Sequence, residues 1–293
     1  MNQLKEGIYL SISSNQTPET SPLNSPFELC KFYYMASQTQ QSGSSLADKV
    51  AIVSGSSSGI GEAIAIELAS RGASVVVNYP FEKLKGEAEN VVSRLSTPGI
   101  AVEADLSTTT GPQKLVAETV AKFGKVDILV NNAALAFNLS LTDHTLEHWD
   151  IMVNLNGRGV FLLTQAVLPH LSRGSRIVNI VSASSRGPPP NQTVYAGTKG
   201  MVDSFTRCWA KELPQKYGCT VNAVSPGPTK TAGFAAAGEE AMKLLQPTID
   251  MTPVGKRMGE PEEIAYAVAM LCEDRARWIN GTHVMVNGGL LID

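Results

Sequence analysis

The stretch Val50-Ala51-Ile52-Val53-Ser54-Gly55-Ser56-Ser57-Ser58-Gly59-Ile60-Gly61-Glu62-Ala63-Ile64-Ala65 decides how the rest of the chain is read. A short, largely β-branched apolar run stops at Ser54, and an amphipathic helical pattern begins near Gly59. Between them Gly55, Gly59 and Gly61 fall in a G-x-x-x-G-x-G spacing. Glycines there let the backbone turn tightly and approach a pyrophosphate, whose charge sits against the free N–H groups of the helix N-terminus. A glycine string by itself also serves as an ordinary strand-to-helix turn. Its place after the first strand and ahead of a helix is what points to a nucleotide cofactor.

Outward from that turn the pattern repeats. Apolar runs at Val50 to Ser54, Ser74 to Asn78, Ile100 to Ala104, Val126 to Asn131, Ser175 to Ser182, Thr220 to Val224 and His283 to Val286 read as seven strands. Segments of helical period lie between them: Gly59 to Arg71, Gln113 to Phe123, Leu146 to Leu171, Val194 to Tyr217 and Pro261 to Cys272. Alternation of this kind predicts an α/β fold with a parallel sheet wound from βαβ units. No repeat or linker divides residues 47–293, which are expected to form one domain. Residues 1–46 are rich in Ser, Gln, Asn, Thr and Pro and are expected to be a disordered tail, within which Met35 offers a second translation start.

Composition narrows the function classes. A formal net charge of -3 with 17% charged residues leaves no basic excess for a phosphate backbone, so a nucleic-acid partner is not expected. Cys30, Cys208, Cys219 and Cys272 form no C-x-x-C pair, which fits neither a disulfide framework nor a zinc site, and no metal is expected. Reduced thiols suit a cytoplasmic protein. No run reaches the ~18 consecutive apolar residues of a membrane span, and residues 1–20 lack a secretory apolar core. The expected partner is a small molecule.

The second strand ends at Asn78-Tyr79-Pro80-Phe81-Glu82-Lys83-Leu84-Lys85. An acid at such a tip favours NAD through the ribose 2′-hydroxyl, whereas neutral or basic groups admit the 2′-phosphate of NADP. No acid occupies the tip, and Lys83 and Lys85 are the nearest cations. The alternative is two solvated lysines, and Glu82 argues against NADP. Farther along, Tyr195-Ala196-Gly197-Thr198-Lys199 places a phenol and an ammonium four residues apart on one helical face. A free tyrosine titrates near 10, and a neighbouring cation lowers that value toward the range useful for proton transfer. Tyr79 and Lys83 repeat the spacing, but on the adenosine side. The Tyr195 copy follows a strand ending in Ser182, at the carboxyl edge where open parallel sheets bind ligands.

Taken in order, the glycine turn, Asp105-Leu106, Asn131-Asn132-Ala133-Ala134, Asn154, Ser182, Tyr195, Lys199 and Pro226-Gly227-Pro228-Thr229-Lys230-Thr231 resemble the compact short-chain dehydrogenase/reductase family over residues 47–293. The Asn78-Tyr79 strand end resembles NADPH-dependent keto-acyl and polyketide-naphthol reductases. The resemblance implies a Rossmann-type, doubly wound, seven-stranded parallel sheet with helices on both faces. It implies Tyr195 as general acid/base, Ser182 as hydrogen-bond donor to the substrate oxygen, Lys199 on the tyrosine and the nicotinamide ribose, and Asn154 holding a relay water. It further implies cofactor contacts from Gly55, Ser57, Ser58, Gly59, Ile60, Gly61, Asn78, Asp105, Leu106, Asn132, Ala133, Pro226, Gly227, Thr229 and Thr231 in addition to Tyr195 and Lys199. The cofactor so implied is NADP(H), with NAD(H) second. Ser54, Ala134, Gly197 and Thr198 depart from the commoner Thr, Gly, Ala and Ser of the family pattern. A homo-oligomer, dimer or tetramer, is implied through Leu146 to Leu171 and Val194 to Tyr217, with a second contact through Pro261 to Cys272 and the last strand.

On this reading the chain reduces a ketone to an alcohol, or the reverse, on a small apolar or cyclic metabolite. Alternatives are a reductase that also dehydrates or cyclises, or a cofactor-binding sensor without turnover. Substrate choice is expected to lie in Ala232 to Thr252, read either as an apolar lid or as a helix pair on the core. A second contribution is expected near Arg186 to Asn191, where Pro188-Pro189-Pro190 stiffens the loop.

Overall fold

The computed structural model describes residues 45–235 and 238–292. The polar segment read as a tail, with Cys30, lies outside the described residues except for Ser45 and Leu46. Seven strands form one sheet: β1 Val50–Val53, β2 Ser74–Tyr79, β3 Gly99–Glu103, β4 Val126–Asn131, β5 Leu171–Ile180, β6 Thr220–Pro226 and β7 His283–Val286. Their order is β3-β2-β1-β4-β5-β6-β7, and every pair is parallel. From β1 the chain winds outward to β3, then crosses back to β4 and winds the other way. The carboxyl ends of β1 and β4 therefore diverge into a crevice, the switch point at which such sheets bind ligands.

The helices are α1 Gly59–Ser70, α2 Lys85–Ser93, α3 Gly111–Phe123, α4 Leu146–Val153, α5 Val160–Val167, α6 Thr193–Tyr217, α7 Ala232–Ala235, α8 Gly238–Asp250 and α9 Pro261–Cys272. Local sequence explains several ends. Pro112 opens α3 and the left-handed Gly124 closes it, while Pro261 starts α9 behind a Glu260/Glu263 capping box. Side chains alternate along the strands between two cores. Ala51, Val53, Ile128 and Val130 pack with Ile64 and Leu68 of α1 and Val268 of α9. Ile52 and Leu129 face Leu115 of α3, Leu163 of α5 and Trp209 of α6. Strands covered on both faces carry continuous apolar runs, which is why they stand out in the sequence.

Two features differ from expectation, at Leu146 to Leu171 and at Leu46. The single helix expected over Leu146 to Leu171 is α4 and α5 joined by a π-helical turn, Asn154–Gly159, and it ends by Val167. Leu171 instead opens β5, pairing with Val126 ahead of a register shift that brings Arg176 opposite Ile128. Segment 232–252 holds the short helix α7 and the longer α8. Finally, Leu46 is fully buried in the first core, and its N–H donates to the Arg71 carbonyl at 2.8 Å. Packing thus begins inside the stretch read as tail, because one leucine closes the end of α1.

Truncating that leucine tests where the folded unit begins. Leu46→Ala is expected to destabilise the protein by about 2–5 kcal/mol in urea unfolding, the cost of a core cavity. A tail residue would change nothing measurable.

Candidate active site

The crevice is held open by polar side chains at the ends of β1, β2 and β4. Ser54 Oγ accepts from the N–H groups of Asn132 (2.9 Å) and Ala133 (3.0 Å), and donates to the Val130 carbonyl at 3.3 Å. The Asn132 amide returns bonds to the carbonyls of Ser54 (2.9 Å) and Gly55 (3.0 Å). Gly55 and Gly59 take φ of 58° and 62°, the left-handed region that glycine occupies without strain. At Gly61 the limit is space: a Cβ would lie 2.4 Å from the Gly55 carbonyl oxygen. Across the turn, the Thr231 methyl stands 3.3 Å from where a Gly59 Cβ would be, and Ala133 closes on Gly55. These bare, close-set backbones at the start of α1 fit the phosphates of a dinucleotide.

Other residues expected at the cofactor take different places. Asn78 is 1% exposed: its Oδ1 accepts from Gly55 N at 3.0 Å and its Nδ2 donates to the Ala104 carbonyl at 3.0 Å. It braces the glycine turn from behind, so its side chain is a support beneath the groove. Leu106 is buried in the second core and Thr229 turns its hydroxyl to the Gly227 carbonyl. Ser57 is buried, Ser58 is exposed and Ile60 packs on the first core. Asp105 accepts from both the N–H and the hydroxyl of Ser107, which fixes its carboxylate at the end of β3. At the β2 tip, Glu82 pairs with Lys85 at 3.3 Å, and Lys83 lies over the Phe81 ring. Gly227 is locked by its N–H bond to Val286 next to Pro226, and a Cβ there would meet Asn287 at 2.9 Å.

Ser182, Tyr195 and Lys199 converge at the adjoining carboxyl edge. Ser182 stands two residues past β5 and caps a tight turn, accepting from Ser184 N at 3.2 Å. Tyr195 lies in the first turn of α6 and Lys199 one turn on, with the ammonium 5.9 Å from the phenol ring centre. Lys199 is 4% exposed and donates to the Ile180 carbonyl at 2.7 Å. Burial lowers its pKa to about 8. Burial also pushes the Tyr195 phenol above its usual value, against a lowering by its hydrogen bond to Ser182. A phenol pulled down by Lys199 was expected; here the ammonium is turned to a carbonyl, and desolvation dominates.

The asparagine also differs. Asn154, half-buried on the π turn, makes no side-chain hydrogen bond among the described residues. Asn156, two positions on, is fully buried: Oδ1 accepts from Leu135 N at 2.9 Å, while Nδ2 donates to Leu135 O at 2.8 Å and to Thr198 Oγ1 at 3.1 Å. Thr198 in turn donates to the Tyr195 carbonyl at 2.7 Å. The widened turn thus ties the loop after β4 to the helix that carries Tyr195 and Lys199. A π turn inserted in a long helix is itself a common mark of a functional site.

A family profile described as enoyl-(acyl carrier protein) reductase matches residues 55–291. The short-chain dehydrogenase/reductase FrzI of Cladobotryum sp is 41% identical over 251 residues, 84% of this chain and 97% of that protein. The chain belongs to the short-chain dehydrogenase/reductases. Versicolorin reductase 1 of Aspergillus parasiticus is 38% identical over 83% of this chain and 97% of its own length. Among solved structures, the angucycline C-6 ketoreductase LanV with bound NADP superposes with a TM-score of 0.78 at 29% identity, over 86% of this chain and 98% of that one. This short-chain dehydrogenase/reductase is accordingly an NAD(P)-dependent oxidoreductase of CH–OH and C=O groups.

In this member, Asn156 is the residue the sequence reading passed over. Two asparagines flank Leu155, and two residues apart on a helix they point to opposite sides, so one of them is turned inward. A concavity of about 670 Å³ beside α6 is lined by Ser184, Ser185, Pro188 to Asn191, Thr193, Ala196, Gly197 and Gly200. Neither Ser182 nor Tyr195 lines it, so the proline run shapes the outer side of the loop.

Two outcomes follow from this geometry. Asn156→Ala is expected to cost about 1–3 kcal/mol in chemical denaturation, by leaving Leu135 unpaired, whereas Asn154→Ala stays within about 0.5 kcal/mol. Lys199 gives a pH signature. Its folded pKa, about 8, lies below that of an unfolded lysine, so the unfolded chain holds more protons between those values and stability rises with pH there. Buried Tyr195, Cys219 and Cys272 are raised and act oppositely at high pH. The wild-type minus Lys199→Met difference in unfolding free energy should therefore climb from pH 8 upward; a flat difference removes the assignment.

Proposed function

We propose that this chain uses NADPH to reduce a ketone on a cyclic, polyketide-type metabolite, with Tyr195 as proton donor. The observation that carries the reading is the buried Tyr195 phenol, which Ser182 just past the end of β5 pulls down against its burial, with Lys199 one turn behind it. Bound along the glycine turn, NADPH supplies the hydride. Ser182 and Tyr195 present two hydroxyls to one carbonyl oxygen, which orients the ketone and polarises it. Burial keeps the phenol protonated through neutral pH, the form needed to give a proton to the developing alkoxide. Lys199, still protonated at neutral pH, opposes the phenolate left behind. Asn156 holds the Leu135 loop and Thr198, so the phenol keeps its place while the substrate binds.

Support for the substrate class comes from relatives named for aromatic polyketides, the versicolorin reductase and the angucycline ketoreductase. Support for the cofactor comes from the NADP bound to the latter and from the β2 tip, where Glu82 is engaged by Lys85. Tyr195→Phe is expected to abolish carbonyl-dependent NADPH oxidation, followed at the nicotinamide absorbance, while NADPH still binds with near wild-type affinity. Near-normal turnover in that variant sinks the reading, as does faster turnover with NADH.

The same reading includes a homo-oligomer. Leu146, Trp149, Phe161 and Met201 are exposed on α4, α5 and α6, and Tyr266, Trp278 and Ile279 form a second exposed apolar group near α9 and β7. Two self-complementary apolar faces generate a closed tetramer, and one generates a dimer. Sedimentation equilibrium is expected to give a tetramer, reduced to a dimer by Trp278→Glu with Tyr266→Glu; a wild-type monomer refutes this.

A further inference from the structure

Behind the reacting groups lies a second buried ionic cluster that the proposed reaction does not use. Asp203, 4% exposed, sits two turns beyond Tyr195 on α6. Its Oδ1 lies 2.9 Å from His283 Nδ1 on β7, and its Oδ2 lies 2.8 Å from Arg207 Nη1 and 3.3 Å from both Nε and Nη2 of Arg186. A carboxylate only accepts, so His283 carries its proton on Nδ1 and donates it. Burial keeps the imidazole from charging, and the three partners hold Asp203 ionised. One carboxylate thus ties together α6, the edge strand β7 and the segment that starts at Ser182.

That segment is a compact turn. Ser185 N donates to the Ser182 carbonyl at 2.9 Å, and the N–H groups of Arg186 and Gly187 donate to the Ala183 carbonyl at 3.1 and 2.9 Å. Its near end is anchored in the sheet, where Val181 N donates to the Val224 carbonyl at 2.9 Å. Its far end is anchored by the Arg186 side chain on Asp203. We propose that Asp203 is a positioning residue for Ser182: through Arg186 it fixes the serine turn against the helix carrying Tyr195 and Lys199, and so sets the Ser182–Tyr195 hydrogen bond. The inference rests on the catalytic reading above. An ordinary surface pair contributes little, but a buried carboxylate with three cationic or donor partners holds its geometry firmly.

Steady-state kinetics with NADPH and a turned-over ketone test it. Arg186→Ala is expected to lower kcat by about ten- to a hundredfold, the scale of a small misplacement of a reacting group, with the KM for NADPH unchanged. Loosening the Ser182 bond also removes its downward pull on the phenol, so the ascending limb of alcohol oxidation with NADP+ moves to higher pH. The groups facing Tyr195 are Lys199 and Ser182, neither of which is altered. Asp203→Asn is expected to lower kcat and shift the profile in the same direction as Arg186→Ala, and the double variant to be less than additive, because both cut the Arg186–Asp203 tether. Arg207→Ala, which leaves Arg186 and His283 on Asp203, keeps wild-type kcat and pH profile. If Asp203→Asn fails to fold, Arg186→Ala against Arg207→Ala still decides. An unshifted oxidation profile in Arg186→Ala, or equal effects of the two arginine variants, overturns the inference. Wild-type protein without carbonyl-dependent turnover fails the catalytic reading instead.

Discussion

A lysine ammonium that is almost wholly out of water is the most demanding group in this molecule. Desolvating such an ion costs several kcal/mol, and only well-placed acceptors offset that. The Lys199 ammonium is met by the Ile180 carbonyl at the carboxyl end of β5. This one bond dictates a good deal else. It forces α6 to cross the end of β5 at close range, which brings Tyr195, one turn earlier, beside Ser182 where the strand stops. Because β5 runs parallel to β4 and β6, its carboxyl end opens on the same edge as the glycine turn after β1. The site is where this buried charge is accommodated, and the order of the strands makes that place.

Along the same edge the backbone leaves the ladder, and its N–H and C=O groups need new partners. Side-chain amides supply them. Asn132 bonds the Ser54 and Gly55 carbonyls, Asn78 bridges Gly55 and Ala104, and Asn156 clasps both polar groups of Leu135. Asparagine suits this work because one short side chain both donates and accepts. Farther in, Asn131 donates to Thr164 and Asn179, and Asn179 donates to Thr206, so the centre of the sheet carries a buried polar line between β4, β5 and α6. Such a line fixes the register of helix on sheet in a way that apolar packing alone does not.

This division of labour explains what the sequence did and did not disclose. The seven strands were legible because each is buried on both faces and reads as an unbroken apolar run, and the glycine turn because backbone conformation restricts it to one residue type. Ser182, Tyr195 and Lys199 were legible through their spacing around one strand end. The asparagines were not separable. A residue that contacts a ligand and one that replaces a missing strand partner look alike in sequence, so the bonds of Asn78 to Gly55 and Ala104 and of Asn156 to Leu135 are visible only in the fold. The π turn was equally hidden. It is set by tertiary contacts, a Leu106 carbonyl 2.6 Å from where a Gly159 Cβ would stand and the Leu135 clasp, not by helix propensity. Leu46 was lost because a single apolar residue among polar neighbours has no period.

Tyr195 and Lys199 share one desolvated environment, and it moves their proton equilibria in opposite senses: the phenol up, the ammonium down to about 8. Both shifts disfavour charge, yet they leave a protonated phenol beside a protonated amine throughout neutral pH. A phenol so raised holds its proton until a stronger base, such as an alkoxide, stands beside it. In the proposed reduction, the phenolate left by proton transfer faces a cation 5.9 Å from its ring centre in a medium that screens poorly, so the attraction is strongest in the state that follows transfer. Where the transition state already carries part of that phenolate charge, the same attraction lowers the barrier. Burial of the lysine therefore acts on the phenolate side of the proposed proton transfer, and by microscopic reversibility it serves reduction and oxidation alike.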